Sequence, residues 1–517
     1  MESVSMAELG GAAEPPDRFD AGRRLTKRRF ASGARCPKRL WLETHEPKAP
    51  ELLGLQIPTV LLEQGRQVGE LARQRWPEGT LVGGGRVAAF DLERAAADTR
   101  ALIDAGASVL FEATFVCDHA VAIVDVLERL PDGWRLVEVK QSCECKNEHV
   151  ADVAFQVHVV ESCGLTVRET AVMHLNRECT CPQLDGLFLT EDVTDGARAM
   201  VAELAPAVLA MSAMLGGTMP DTAIDVACVS PDPCAFKPRC WTGVPEHHVS
   251  TLYMLRKKEA FAHHHAGRQR IVDIELPAPK KKPSATSKIQ WRQQESLQTG
   301  SRIVEREGLA AALVTLAYPI AMLDFETVQL AVPVWPGCTP QAQVPVQFSC
   351  HVIAHPGAEP THFEWIARGS EDPRPRIVEA LIPACRDAAT VMAYFSSFEQ
   401  GCLKRLAEWV PARAEELMAI HDRIVDQLPL VKEHVYDPAF GGSFSLKKVL
   451  PALVPSLSYA GLTIAKGDVA AAELWRVMFG EMPDAEREYV SGALLEYCRL
   501  DTLAMVELHR VLVGMSI

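Results

Sequence analysis

Several things are missing from this chain, and each absence narrows the field. No apolar stretch has the profile of a membrane span. The best candidate, Gly308–Leu323, is sixteen uncharged residues, short of the ~20 a spanning helix needs, and Pro319 interrupts it. The first twenty residues are acidic and contain Pro and Gly without an apolar core, so no secretory signal is expected and the expected location is the cytoplasm. Fifteen cysteines without a signal are therefore expected to be reduced thiols, and a cysteine cluster points to metal rather than disulfides. No internal repeat is present. There is no surplus of positive charge: 53 basic residues face 67 acidic ones, net −14. That excludes a protein that coats nucleic acid by bulk charge, and leaves local binding open.

What is present is an ordinary globular composition, 48% hydrophobic and 23% charged over 517 residues. Such a chain buries a sizeable core and holds two or three domains. Its charge is segregated. Residues 1–255 carry 25 basic and 36 acidic side chains, residues 256–306 carry 12 and 5, and residues 307–517 carry 16 and 26. Two acidic halves flank a basic middle containing Lys280, Lys281, Lys282 and His263–His265. The division predicts a disordered tail at 1–20, a first domain at 21–255, a basic helical or linker region at 256–306 and a second domain at 307–517. The Lys280–Lys282 run is expected to be a solvated connector, with a phosphate-contacting strap as the alternative. From Ala21 to Leu42 there are eight basic residues and no acid. A helix with one basic face is expected there, and Lys27, Arg28, Arg35, Lys38 and Arg39 are candidates for holding a nucleic-acid backbone.

In the first half, Val121–Leu130 is β-branched and apolar, Pro131-Asp132-Gly133 is a turn signal, and Trp134–Lys140 is a second strand: a hairpin. Asp125, Glu138 and Lys140 interrupt the apolar pattern. Buried charge of this kind is costly unless paired or metal-bound. Glu138 and Lys140, two apart, share one face. A three-residue loop would put Asp125 on the opposite face, so it joins them only with a four-residue loop or a bulge. Asp132 belongs to the turn and is expected to face solvent. Glu112 lies in the preceding FEATF strand, and Gln156 on a following amphipathic helix. A salt-bridged structural hairpin is the alternative to a metal site.

Asp, then Glu-Val-Lys after twelve intervening residues, resembles the core of the PD-(D/E)XK nucleases. The resemblance implies that Asp125 and Glu138 hold a divalent cation, that Lys140 orients or activates water, and that Glu112 and Gln156 assist. The histidine often found upstream is absent, with Glu70 as a weak stand-in, and Val160 stands where a tyrosine is common. Three cysteines follow at five-residue intervals, Cys228, Cys234 and Cys240, in a Pro-rich loop, and Cys36 lies near the start. The C-x2-C pairs of zinc ribbons are missing. With these, the first half resembles RecB-type nucleases of the four-cysteine iron–sulfur group, which includes CRISPR-adaptation exonucleases and helicase–nuclease subunits. The resemblance implies a 4Fe–4S cluster on Cys36, Cys228, Cys234 and Cys240. Buried free thiols are the alternative. The Cys143-x-Cys145 and Cys179-x-Cys181 pairs are read as structural.

In the second half, Asp324 and Glu326 share a face at the end of an apolar strand, a pair suited to a divalent cation. Glu399 follows Phe398. Tyr497 and Asp501 lie one helical turn apart. This ordered set resembles the DEDD 3′–5′ exonucleases of the tyrosine subtype. The resemblance implies an RNase H-like fold, two metal ions (Mg2+ or Mn2+) on Asp324, Glu326, Glu399 and Asp501, and Tyr497 positioning the attacking water. Two positions depart from the pattern: Glu399 for an aspartate, and Phe395 for an asparagine. Asp426 is a spare strand carboxylate. Lys447, beside a helix start after Gly441-Gly442-Ser443, is a candidate phosphate contact or an ordinary cap neighbour. The full order also resembles a bacterial family known only as a domain of unknown function. The expectation is an α/β (α+β) protein with a restriction-endonuclease-like domain and an RNase H-like domain. Its expected activity is metal-dependent cleavage of phosphodiester bonds, in DNA rather than RNA. The alternative is a non-catalytic nucleic-acid-binding or redox-sensing scaffold with degenerate sites.

Overall fold

The computed structural model describes residues 24–55, 58–85, 92–277 and 282–517. The expected tail at 1–20, with Lys280 and Lys281, lies outside the described residues. The basic N-terminal segment is two helices rather than one: α1 (Lys27–Arg35) and α2 (Pro37–His45). Cys36, at φ −163° and ψ 120°, separates them, and Pro37 starts the second because its ring is compatible only with the first helical positions.

Next come α3 (Thr59–Arg73) and α4 (Leu92–Asp104), flanking a six-stranded sheet. Its strands are β1 (Thr80–Leu81), β2 (Val109–Val116), β3 (Val121–Leu130), β4 (Gly133–Lys140), β5 (Val167–Leu175) and β6 (Phe188–Asp192), in that spatial order. β2, β3 and β4 form an antiparallel meander. β5 runs parallel to β4, which demands a crossover; α5 (Asn147–Ser162) supplies it. α6 (Thr194–Leu215) packs beside α5, burying Ala197, Leu204 and Val208.

Among the described residues, α6, not Gly308–Leu323, is the helix long and apolar enough to cross a membrane. Gly308–Leu323 is instead divided between a helix and a strand. α6 carries Arg198, paired with Glu161 of α5 at 2.8 Å, and Pro206.

The described parts of the basic middle contain helices. After the short α7 (Lys237–Cys240) come α8 (Lys257–His265) and α9 (Ala285–Thr299). α9 buries Ile289, Arg292, Gln293 and Ser296 on one face, the 3.6-residue repeat of an amphipathic helix, and Arg292 meets Glu305 at 2.6 Å. The expected solvated connector at Lys280–Lys282 lies largely outside the described residues, and Lys282 is exposed.

The second half opens with β7 (Ile303–Val304) and α10 (Arg306–Leu313). Then come β8 (Ile320–Gln329), β9 (Gln343–Ile353), β10 (Thr361–Ile366), α11 (Arg374–Cys385), β11 (Thr390–Ala393), α12 (Ser397–Trp409), α13 (Ala414–His421) and β12 (Ile424–Asp426). α14 (Leu428–His434), β13 (Val435–Tyr436), α15 (Leu446–Leu453), α16 (Gly467–Phe479) and α17 (Asp484–Ser516) complete the chain. The sheet order is β10-β9-β8-β11-β12. β8 pairs antiparallel with β9 and parallel with β11. Both faces are covered: Met322 packs with Met392, Met505 and Leu508 on one side, Leu323 with Phe348, Val391 and Leu403 on the other. That is why the strand reads as a continuous apolar run until Asp324.

The segment after β8 reaches back to the first sheet. Ala331 and Val332 are buried with Val68, Phe111 and Val137. Gln64 of α3 brackets the segment's start, accepting from the Ala331 N–H at 2.6 Å and donating to the Gln329 carbonyl at 3.2 Å. The Cys181 N–H donates to the Cys338 carbonyl at 2.9 Å, and Gln341 Nε2 to the Gln141 carbonyl at 3.0 Å. The two halves share a core.

Candidate functional site

The hairpin loop has two residues, Pro131 and Asp132: Leu130 pairs with Gly133, and the register continues to Val126 opposite Val137. One step further, Asp125 stands across from Glu138, on the same face. The loop is two residues rather than the expected four, and this parity likewise puts Asp125 on the face of Glu138. The Asp125 carboxylate accepts from the Val139 N–H at 2.7 Å. Glu138 is 1% exposed. Its Oε1 receives Lys27 Nζ at 2.5 Å and Lys140 Nζ at 2.8 Å, and its Oε2 receives Gln156 Nε2 at 2.5 Å. Lys140 also meets Asp152 at 2.7 Å. Glu112 sits in β2 with φ 55°, and its charge reaches Asp125.

Burial and the charge of Glu138 push the Asp125 carboxyl up to about 8. Burial alone would raise Glu138 too, but Lys27 and Lys140 overcome it and hold that carboxyl down at about 2. Glu63 and Glu70 stay in solvent on α3, paired with Arg66. Asp132 is exposed in the turn, as expected, beside Arg168.

The second group forms where the parallel strands end. Asp324 and Glu326 lie in the C-terminal half of β8, opposite Ser349 and Gln347 of β9. α17 brings Asp501, and the ligand oxygens of these three carboxylates lie within 4.8 Å of one another. Glu399, in the first turn of α12, is 4% exposed, and its Oε2 is buried without a hydrogen-bond partner. Asp501 accepts from Tyr459 at 2.5 Å and from Tyr497. Lys447, one residue into α15, donates to the Tyr497 hydroxyl and the Ala465 carbonyl, both at 3.1 Å. The Cys498 thiol lies 3.4 Å from Asp324.

Every carboxyl here is displaced upward. Burial raises Asp324 well above its ordinary range, reinforced by Asp501, Glu326 and Glu399. Burial and Asp501 push Glu326 up to about 8. Burial, with Asp426 adding to it, pushes Glu399 up to about 8. Burial also raises Asp501, with its two tyrosines and Lys447 opposing. Four crowded carboxylates and one orphaned oxygen, with Lys447 as the nearby cation, suit one or two divalent cations. Asp426 is occupied otherwise: its Oδ1 accepts from the N–H groups of Phe395 and Leu428, both at 2.9 Å. Phe395 is 62% exposed at φ 67°, a left-handed conformation that asparagine adopts more readily than a bulky aromatic.

Cys36, Cys228, Cys234 and Cys240 line one cavity with Lys38, Arg39, Leu42, Phe236 and Lys237. Arg35 ties the loop to α1, donating to the carbonyls of Ala227 (2.8 Å) and Asp232. Arg239 returns to Glu46 and Glu51 at 2.6 and 2.9 Å. Burial pushes the Cys234 and Cys240 thiols up, with Arg39 and Arg35 opposing at Cys234 and Lys38 at Cys240. Of the basic residues expected to hold a nucleic-acid backbone, Lys27, Arg35 and Lys447 are spent on protein groups, Arg39 pairs with Glu43 at 2.7 Å, and Arg28 is exposed.

Sequence reasoning missed four participants. Asp152 was legible: it lies four residues before Gln156, one turn away on the same face of α5. Cys498 likewise lies three before Asp501. Tyr459 comes from a loop with no pattern to flag it, and Lys27 was assigned to a different role.

A family model described as a domain of unknown function (DUF2779) matches residues 321–445. The matched span includes Asp324, Glu326, Glu399 and Asp426 and ends before Tyr497 and Asp501. No curated protein and no solved structure matches the chain.

Proposed function

We propose that this chain is a metal-dependent nuclease whose hydrolytic site is the group Asp324, Glu326, Glu399 and Asp501. One observation carries the proposal: three carboxylates meet within 4.8 Å while the buried Glu399 Oε2 has no partner. Leaving such groups without a counter-ion costs several kcal/mol per charge, and divalent cations are the chemistry that relieves it. Bound there, two such ions supply charge stabilisation at a phosphoryl group and a water nucleophile at neutral pH.

The chain's own residues then have definable tasks. Asp324 and Glu326 present oxygens from a rigid central strand. Asp501 is oriented by Tyr459 and Tyr497, and Lys447 fixes the Tyr497 hydroxyl at the site's edge. The sheet order β10-β9-β8-β11-β12, antiparallel then parallel, supports an RNase H-like domain of the DEDD type. The β2-β3-β4 meander with α5 crossing to parallel β5 supports a PD-(D/E)XK-type domain around Glu138. DNA is favoured over RNA by analogy with the first domain's relatives, and a cytoplasmic location goes with it.

Cys36, Cys228, Cys234 and Cys240 would hold a 4Fe–4S cluster. They share one cavity with three cations suited to an anionic centre. Anaerobically purified protein should be brown and lose its colour in Cys228→Ser; a colourless protein containing zinc would refute the cluster.

The activity test uses the purified full chain with labelled single- and double-stranded DNA and RNA and Mn2+. Cleavage should persist in Lys140→Ala and disappear in Asp324→Asn. The converse would move the activity to the hairpin, and no cleavage of any substrate would sink the enzyme reading.

A further inference from the structure

The hairpin site already contains a cation. Lys27 Nζ stands 2.5 Å from Glu138 Oε1, on the carboxylate that the hairpin buries most deeply. We infer that the Lys27 ammonium takes the position a divalent cation occupies in a nuclease-type hairpin, so that this site runs on a resident organic cation and holds no metal ion while α1 is docked. The inference rests on the hairpin being a nuclease-type framework, and concerns what fills it.

Three features carry it. First, Glu138 is spoken for: two ammonium groups share its Oε1 and Gln156 takes its Oε2. A carboxylate offers about four lone-pair directions, so little remains for a metal, and a side chain 1% exposed cannot turn elsewhere.

Second, Lys27 is delivered, not dangling. The buried Leu25 bridges in parallel to Ala120; its N–H donates to the His119 carbonyl at 2.9 Å, and its carbonyl accepts from the Val121 N–H at 2.8 Å. Val121 is the first residue of β3, the strand that carries Asp125. Thr26 then caps α1, its hydroxyl accepting from the Arg29 N–H at 3.2 Å. Lys27 is thus the first residue of a helix whose start is sewn to the site's own strand.

Third, two positive charges are already in place. Lys27 faces Glu138, Asp125 and Asp152, and Lys140 adds a second ammonium beside Glu138 and Asp152. A divalent ion entering here would meet two fixed positive charges. At the second site, by contrast, Lys447 opposes only Glu326 and Asp501 of the four carboxylates.

The test counts Mn2+ by the electron paramagnetic resonance of the free ion, in the full chain. With the second site disabled by Asp324→Asn and Asp501→Asn, the protein is expected to retain no tightly held Mn2+. Adding Lys27→Met to that background should create one bound ion per chain, and Glu138→Gln should remove it again. The inference is overturned if the background protein, with Lys27 intact, already holds an ion that Glu138→Gln abolishes. That arm needs no change at Lys27, so it decides the matter even if Lys27→Met fails to fold. It is also overturned if Lys27→Met folds, by circular dichroism, and gains no ion. Failure of the nuclease proposal reads out separately, as a wild-type protein whose Mn2+ uptake is indifferent to Asp324→Asn.

Discussion

Glu138 and Glu326 are both recessed glutamates on sheet strands, each beside a partner carboxylate, yet one is held down at about 2 and the other pushed up to about 8. Burial acts on both in the same direction. The difference is the counter-charge. Lys27 and Lys140 reach Glu138 from a helix and from its own strand, while Glu326 meets Asp501 and Glu399 with Lys447 as the opposing cation. A site that neutralises itself is finished when the chain folds. A site that does not is waiting for something from solution. Residue type looks alike at the two sites; the cations beside each carboxylate separate them.

The strongest break in that comparison is functional. Asp324→Asn should lower Mn2+-dependent cleavage by about a thousandfold or more, ~4 kcal/mol of transition-state stabilisation, read in single-turnover assays. Next in size is a pair of identical substitutions with opposite signs. Glu138→Gln removes the carboxylate that two ammonium groups share and should destabilise the protein by about 3 kcal/mol. Glu326→Gln removes a crowded charge and should stabilise the metal-free protein by about 1 kcal/mol. Urea unfolding in EDTA measures both, and equal signs would erase the distinction.

Glu326 and Glu138 also predict opposite pH responses, with the raised Asp125 of the hairpin on the same side as Glu326. Glu326 and Glu399 keep their protons in the folded chain up to about 8, against 4.5 for the ordinary side chain. The stability they contribute is complete below 4.5 and is lost as pH rises toward 8. Mn2+ should abolish that loss by taking the protons' place. Glu138, held at about 2, contributes stability above 4.5 that is lost as pH falls toward 2. Thermal melts from pH 3 to 9, with EDTA and with Mn2+, separate the two limbs. The smallest effect concerns the rim of the second site. Phe395→Asn should raise stability by about 1 kcal/mol by relieving the left-handed backbone at φ 67°, measured by urea unfolding.

Much of this was legible beforehand. The hairpin, the crossover helix with Gln156, the strand with Asp324 and Glu326 and the helix with Tyr497 and Asp501 are local patterns, fixed by periodicity and turn chemistry. What stayed hidden is non-local. The two-residue loop that settles Asp125's face depends on Gly133 pairing with Leu130. Lys27 looked like one more residue of a basic stretch because its partner lies 111 positions away. The basic middle looked like a connector because its apolar face is sparse, with Ile289 buried among polar neighbours.

Ala331 and Val332 lie in the first half's core although their chain belongs to the second. Such an exchange of apolar residues makes the halves thermodynamically inseparable. Neither can open without exposing part of the other's interior, so heat should melt the chain in one calorimetric transition. A chain cut between the halves should leave the first with a raw apolar gap where that segment had been. Cooperativity of the whole molecule is thus set by a few residues just past a candidate catalytic strand.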